Sequence, residues 1–169
     1  MRFCEAETEV GGREGVDVGG LRLRGRIDRV DVTAGGGGCF VLDYKAGRAP
    51  ATSALGEGDG LQLPLYLMAL AAERPQMEVI GGAYLSLPHK QRSGVVMAGF
   101  ETAPGPEAKG LIVLDEAARD GLFEKTRLAA LEAAAGIRAG IIAPLLDRRC
   151  PSWCDLGSVC RARRGGYRP

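Results

Sequence analysis

The chain has 169 residues, 46% hydrophobic and 25% charged, with a net charge of +1. That length fits one globular domain with a single core, and the near-zero net charge is no signature of a nucleic-acid partner by itself. No apolar run approaches the ~18 residues of a membrane span, and no basic-then-apolar leader follows Met1, so the sequence reads as soluble and cytoplasmic, with no membrane partner.

The first predicted strand is CEAETEV, in which Glu5, Glu7 and Glu9 alternate and so share one face. Residues 16–32, VDVGGLRLRGRIDRVDV, alternate apolar and polar positions and read as one strand, bulged at Gly25. The glycine string Gly35–Gly38 then makes a loose turn into CFVLDYK, giving a hairpin. Cys39, at the head of this second strand, reads as a buried core cysteine.

Residues 49–60 are small, acidic or glycine and read as a loop. LQLPLYLMALAAE follows as a helix, with Pro64 in its first turn, where the missing N–H matters least. Gln62 and Tyr66, four apart, share one helical face, while Leu63, Leu67 and Leu70 occupy another. MEVIGGAYLSL and GVVMAGF form a further antiparallel pair around the turn PHKQRSG, which carries the single histidine, His89, read as exposed and uninvolved. From Leu114 to Ile142 a long amphipathic helix is expected, with Leu122, Leu128, Leu131, Ala135 and Ile137 as its apolar stripe.

The tail from Asp147 holds Arg148, Arg149, Arg161, Arg163, Arg164 and Arg168, a local basic patch within a neutral chain. It also holds Cys150, Cys154 and Cys160 in the pattern C-x3-C-x5-C. Clustered cysteines in a cytosolic protein favour metal or cluster binding over disulfides, and soft thiolates suit Zn²⁺ or an iron–sulfur centre. The expected organisation is a core over residues 1–146 and a cysteine- and arginine-rich segment of the same domain over 147–169. These strands and helices give an α/β fold, a mixed β-sheet core flanked by helices.

The chemistry lies at the hairpin. Asp43 and Lys45 project to one face of their strand, and Asp28 of GRIDR approaches that face from the neighbouring strand. Mg²⁺ is typically held by one or two carboxylates with carbonyls and water, and a lysine beside such a site can orient water and stabilise charge on a phosphoryl oxygen. This is a kit for phosphodiester hydrolysis. The Tyr44 side chain is expected to point to the core, its backbone carbonyl being a candidate metal ligand.

The order GRIDRVD, glycine turn, VLDYKAG, LQLPLYLMAL and terminal CPSWCDLGSVCR resembles the RecB/AddB-type nuclease domains of the PD-(D/E)xK superfamily, related to CRISPR-associated adaptation nucleases with an iron–sulfur cluster. The resemblance runs over residues 5–161 and implies a restriction-endonuclease-like fold. It implies Asp28 and Asp43 as ligands of Mg²⁺ or Mn²⁺, Lys45 as catalytic, and Gln62 and Tyr66 as a further motif. Glu5 or Glu7 is then the candidate for a supporting carboxylate.

The resemblance also implies a [4Fe–4S] cluster, which needs four ligands, with the fourth cysteine in an upstream helical segment. The expectation is that this N-terminal part is missing, leaving Cys4 as the substitute candidate beside Cys150, Cys154 and Cys160. The implied function is a DNA exonuclease of recombination and repair, acting on single-stranded or free-ended DNA, within or derived from a helicase–nuclease. Two alternatives stay open: a non-catalytic DNA-binding module or fragment with an idle site, and a zinc-stabilised interaction domain.

Overall fold

The computed structural model describes residues 1–58, 60–104 and 110–141. The elements are, in order, β1 (Arg2–Val10), β2 (Val16–Val18), β3 (Leu21–Leu23), β4 (Gly25–Val32), β5 (Gly38–Tyr44), a 3₁₀ turn (Thr52–Ala54), α1 (Gln62–Glu73), β6 (Glu78–Ser86), β7 (Gln91–Met97), β8 (Ile112–Leu114) and α2 (Glu116–Arg138). The chain divides into a compact unit of Met1–Ala133 and a second from Ala134 onward. The sheet, its cores and the site described below belong to the first unit; residues 134–141 of the second carry the end of α2. The cysteine and arginine segment of residues 147–169 lies outside the described residues.

Six strands form one sheet in the order β1-β4-β5-β6-β7-β8. β5 and β6 pair in parallel, as do β7 and β8, and the other neighbours are antiparallel. This is the mixed α/β sheet with flanking helices expected from the sequence. The β4–β5 hairpin is closed at Thr33, whose N–H donates to Gly38 O at 2.8 Å and whose Oγ1 accepts from Gly38 N–H at 3.0 Å.

One face of the sheet carries Val30, Val32, Cys39, Val41 and Tyr84 under α1, whose Leu63, Leu67 and Leu70 are fully buried. Their spacing puts all three on one stripe, and each contributes about 1.5–3 kcal/mol on burial. Gly82 lets the helix come close: a Cβ there would lie 2.9 Å from Leu63 Cδ1 and 3.1 Å from Leu67 Cδ2. The other face carries Phe40, Leu42, Ile80 and Ala83, packed by Phe100, Ala103 and Leu111.

α1 has no capping side chain at Leu61 and no acid in its first turn. The buried Tyr84 hydroxyl serves instead, accepting from Leu63 N–H at 2.7 Å, and so satisfies one of the free donors at the helix start. α2 is capped conventionally by Asp115, whose Oδ1 accepts from Ala118 N–H at 2.8 Å.

Several sequence expectations need correction. Residues 16–32 form two elements: Gly19 and Gly20, with φ of 60° and 89°, turn β2 back on β3 as a separate hairpin before β4 begins. Leu114 belongs to β8, and the helix starts only at Glu116. Thr126 and Ala130 are its buried positions, with Leu122 and Phe123 packed against the core, whereas Leu128 and Ile137 are exposed. The loop after residue 49 contains the Thr52–Ala54 turn.

The three glutamates do not share a face. Glu7 has a left-handed φ of 51°, which breaks the alternation, and Thr8 Oγ1 therefore donates to Glu5 Oε2 at 3.1 Å on the same side. Glu5 also takes a two-pronged bond from Arg74 at 2.8 and 2.7 Å, which holds its carboxyl below the usual range despite partial burial. Glu7 is exposed beside Arg26, and Glu9 is exposed.

Candidate active site

The last ladder pair of the β4–β5 hairpin on its open side is Arg29 with Leu42. One step beyond it the strands splay, and Asp28 and Asp43 stand there on neighbouring strands. The Asp28 carboxylate replaces the missing ladder bond, Oδ2 accepting from Tyr44 N–H at 2.7 Å.

Asp43 is buried, with 2% of its side chain exposed, while Lys45, two residues on, reaches the same face as strand alternation requires. Lys45 Nζ lies 2.6 Å from Asp43 Oδ2. The contact is an ion pair rather than a well-directed hydrogen bond, and Oδ2 has no hydrogen-bond partner among the described residues. Burial pushes the Asp43 carboxyl above the usual aspartate range; the Lys45 ammonium opposes that shift, and the nearby Asp28 charge adds to it.

Lys45 Nζ also donates to Gln62 Oε1 at 2.6 Å, and it sits 4.9 Å from the centre of the Tyr84 ring. Gln62 Nε2 donates to Tyr66 Oη at 3.0 Å, and Tyr66 Oη donates to Arg26 O at 2.8 Å. Each donor and acceptor in this chain is therefore assigned. It runs from the backbone of β4 through two turns of α1 to β5, and the Asp28–Tyr44 bond brings it back to β4. Gly25 makes room for the Tyr66 ring, since a Cβ there would lie 3.1 Å from Cε1.

The structure thus brings together Asp28, Asp43, Lys45, Gln62 and Tyr66. Tyr44 departs from expectation: its side chain is 41% exposed on the opposite face, where its hydroxyl accepts from Arg29 Nη1 at 3.2 Å. On that face the ring borders the cleft it shares with Arg29, Leu85 and Leu87 rather than the core under α1. Cys39 is buried in the core, and its thiol is pushed up to about 11 by that burial. Cys4 is exposed beside Glu5, and His89 is exposed in the β6–β7 turn. Cys150, Cys154 and Cys160 lie outside the described residues.

Two participants escape sequence reasoning. Tyr84 lies beside Asp43 in the parallel β5–β6 register, which local patterning does not reveal. Arg26 takes part through its carbonyl, for which no side-chain signal exists.

No group of three or more His, Cys, Asp or Glu is gathered among the described residues. A divalent ion at this site would rest on the two carboxylates, completed by backbone carbonyl and water, a donor set suited to Mg²⁺ or Mn²⁺. The buried Asp43 oxygen without a directed hydrogen bond fits such an ion.

The family model of the PD-(D/E)XK nuclease superfamily matches residues 2–161. The six-stranded mixed sheet with flanking helices is consistent with the restriction-endonuclease-like fold of that superfamily. No curated protein matches the chain.

Proposed function

The chain belongs to the PD-(D/E)XK nuclease superfamily, and from that membership we propose that it is a metal-dependent deoxyribonuclease with Asp28, Asp43, Lys45, Gln62 and Tyr66 as its working residues. The observation that carries this reading is the continuous polar chain from Arg26 O through Tyr66, Gln62 and Lys45 to Asp43, beside the second carboxylate, Asp28.

In this reading Asp28, Asp43 and the Tyr44 carbonyl hold Mg²⁺ or Mn²⁺. Such an ion, when bound, polarises the phosphodiester and lowers the pKa of water. Lys45 is the catalytic cation. It points a proton at Gln62, leaving its other protons to orient water or neutralise charge on a phosphoryl oxygen. Gln62 and Tyr66 are positioning residues: Tyr66 is fixed by a backbone carbonyl, Gln62 by Tyr66, and Lys45 by Gln62. Asp43 supplies the countercharge that keeps the ammonium in place.

The finer reading follows the resemblance to RecB/AddB-type domains. It comprises exonuclease action on single-stranded or free-ended DNA, a role in cytoplasmic recombination and repair, and partnership with a helicase subunit or domain. The core of residues 1–146 would carry catalysis. The segment of residues 147–169 would hold a [4Fe–4S] centre on Cys150, Cys154 and Cys160, with Cys4 as candidate fourth ligand; that assignment rests on the sequence alone.

The test is cleavage of end-labelled single- and double-stranded DNA by anaerobically purified protein with Mg²⁺ or Mn²⁺, beside Asp43→Ala and Lys45→Ala. Cleavage that both substitutions abolish supports the enzyme. Its absence in folded wild-type protein sinks it and leaves a DNA-binding module. Iron and zinc content of the same preparation decides the cluster.

A further inference from the structure

Asp28 and Asp43 are each followed by a residue that projects to the opposite face of the sheet, and those two residues touch: Arg29 Nη1 donates to the Tyr44 hydroxyl. Arg29 also lies over the Phe3 ring, its Cζ 5.6 Å from the ring centre. Phe3 is 58% and Tyr44 41% exposed. Arg29 is held rigid by a two-pronged bond to the buried Asp31 at 2.7 and 2.8 Å, and its pKa is raised, first by Asp31 and then by Tyr44. The result is a ring–guanidinium–ring row, open to solvent, on the back of the strand ends that carry the candidate site.

The row opens into a cleft of about 780 Å³ lined by Arg29, Tyr44, Leu87, Lys90 and Arg92 among others, and Leu87 adds a 72% exposed apolar surface. Lys90 and Arg92 also line the adjoining cleft beside residues 49–52. Among the described residues no carboxylate lines either of them. The opposite end of β6 and β7 has the reverse character: the cavity there is lined by Glu78, Asp115, Glu116 and Asp120 with Arg119. Among the described residues the two clefts beside the row therefore carry cations and the far cavity mostly carboxylates. That separation orients an approaching polyanion.

We infer that the Phe3–Arg29–Tyr44 row and the Lys90 cleft form a docking path for the unpaired part of a DNA strand, bases stacking on the rings and phosphates facing Lys90. Exposed flat rings interleaved with cations are the physical requirement for binding single strands without sequence preference. A blunt duplex, whose bases are already stacked, cannot use the rings. This inference rests on the DNA reading above and adds the strand form and the side of the sheet along which it runs.

The experiment is fluorescence anisotropy of a labelled single-stranded oligonucleotide with the full chain in EDTA, which prevents cleavage, over a series of salt concentrations. Tyr44→Ala is expected to weaken binding roughly 10-fold, while Tyr44→Phe, which keeps the ring and loses only the Arg29 bond, binds as wild type. Lys90→Gln is expected to lower the slope of log K against log salt by about 0.7, and Arg119→Ala, at the acidic end, is expected to change nothing. Thermal melts establish that each variant is folded. If wild type binds and cleaves single strands while Tyr44→Ala and Lys90→Gln bind equally well, the path is overturned and the nuclease stands. If wild type neither binds nor cleaves DNA, both fall.

Discussion

Asp28 accepts a 2.7 Å hydrogen bond from the Tyr44 N–H, so one candidate ligand holds the backbone on which the other is mounted. Removing it should therefore have two separable effects. Asp28→Ala is expected to lower stability by about 1 kcal/mol, the worth of one partly solvated hydrogen bond, whereas Asp28→Asn keeps an acceptor and loses less. Both should reduce Mg²⁺-dependent cleavage by at least roughly 100-fold. Urea titration and single-turnover cleavage separate the two.

In the proposed mechanism Gln62 and Tyr66 act through Lys45, to which their hydrogen bonds lead. Tyr66→Phe leaves Arg26 O and Gln62 Nε2 without their partner but retains the ring. Gln62→Leu removes the acceptor of the Lys45 ammonium and leaves it to the Asp43 charge. We expect kcat to fall roughly 10-fold for the first and nearer 100-fold for the second, with KM and the melting temperature little changed. An equal fall in Tm for both would mark them as structural instead.

Asp43 provides a pH signature. Its folded-state pKa lies above the ordinary aspartate value, chiefly through burial. Its contribution to stability is therefore full below that value and is lost as pH rises through the folded pKa, because ionisation must then occur in a buried place. A cation binding to the ionised form displaces the proton. Calorimetry of Mn²⁺ binding in buffers of different ionisation enthalpy should show proton release that fades as pH rises through the folded pKa of Asp43, and no such release with Asp43→Asn.

Two buried contacts set the height and start of α1. Gly82→Ala would place a methyl 2.9 Å from Leu63 Cδ1 and 3.0 Å from Val41 O, one of them immovable backbone. A loss of about 1–3 kcal/mol is expected, together with a fall in activity as Gln62 lifts away. Tyr84→Phe deletes the buried acceptor of Leu63 N–H and should cost about 1–3 kcal/mol, measured by denaturant unfolding.

The placement of the candidate residues is legible wherever one element's own geometry decides the outcome. Strand alternation puts Asp43 and Lys45 on one side, and the helical repeat pairs Gln62 with Tyr66. What failed depended on surroundings. Tyr44 meets Arg29 rather than an apolar layer, because its strand turns the Asp43 side to the core. Glu5 and Glu7 part company because a single left-handed residue interrupts the strand. β8, three residues long, exists through its pairing with β7 and leaves no periodicity to read. The buried stripe of α2 falls on Thr126 and Ala130 rather than on Leu128, because contact with the rest of the fold, not side-chain size, selects the face.

The small closure between Thr33 and Gly38 reaches further than its two hydrogen bonds suggest. It sets the register of β4 against β5, and side chains alternate, so a slip of one residue would reverse every β4 side chain at once. Asp28 would leave the side on which Lys45 waits, while Arg29 and Asp31 would turn in among Val41, Leu63 and Leu67, where an ion pair is poorly tolerated. The apolar core thus acts as a proofreader of the hairpin: it rejects the one-residue slip that would part Asp28 from Asp43.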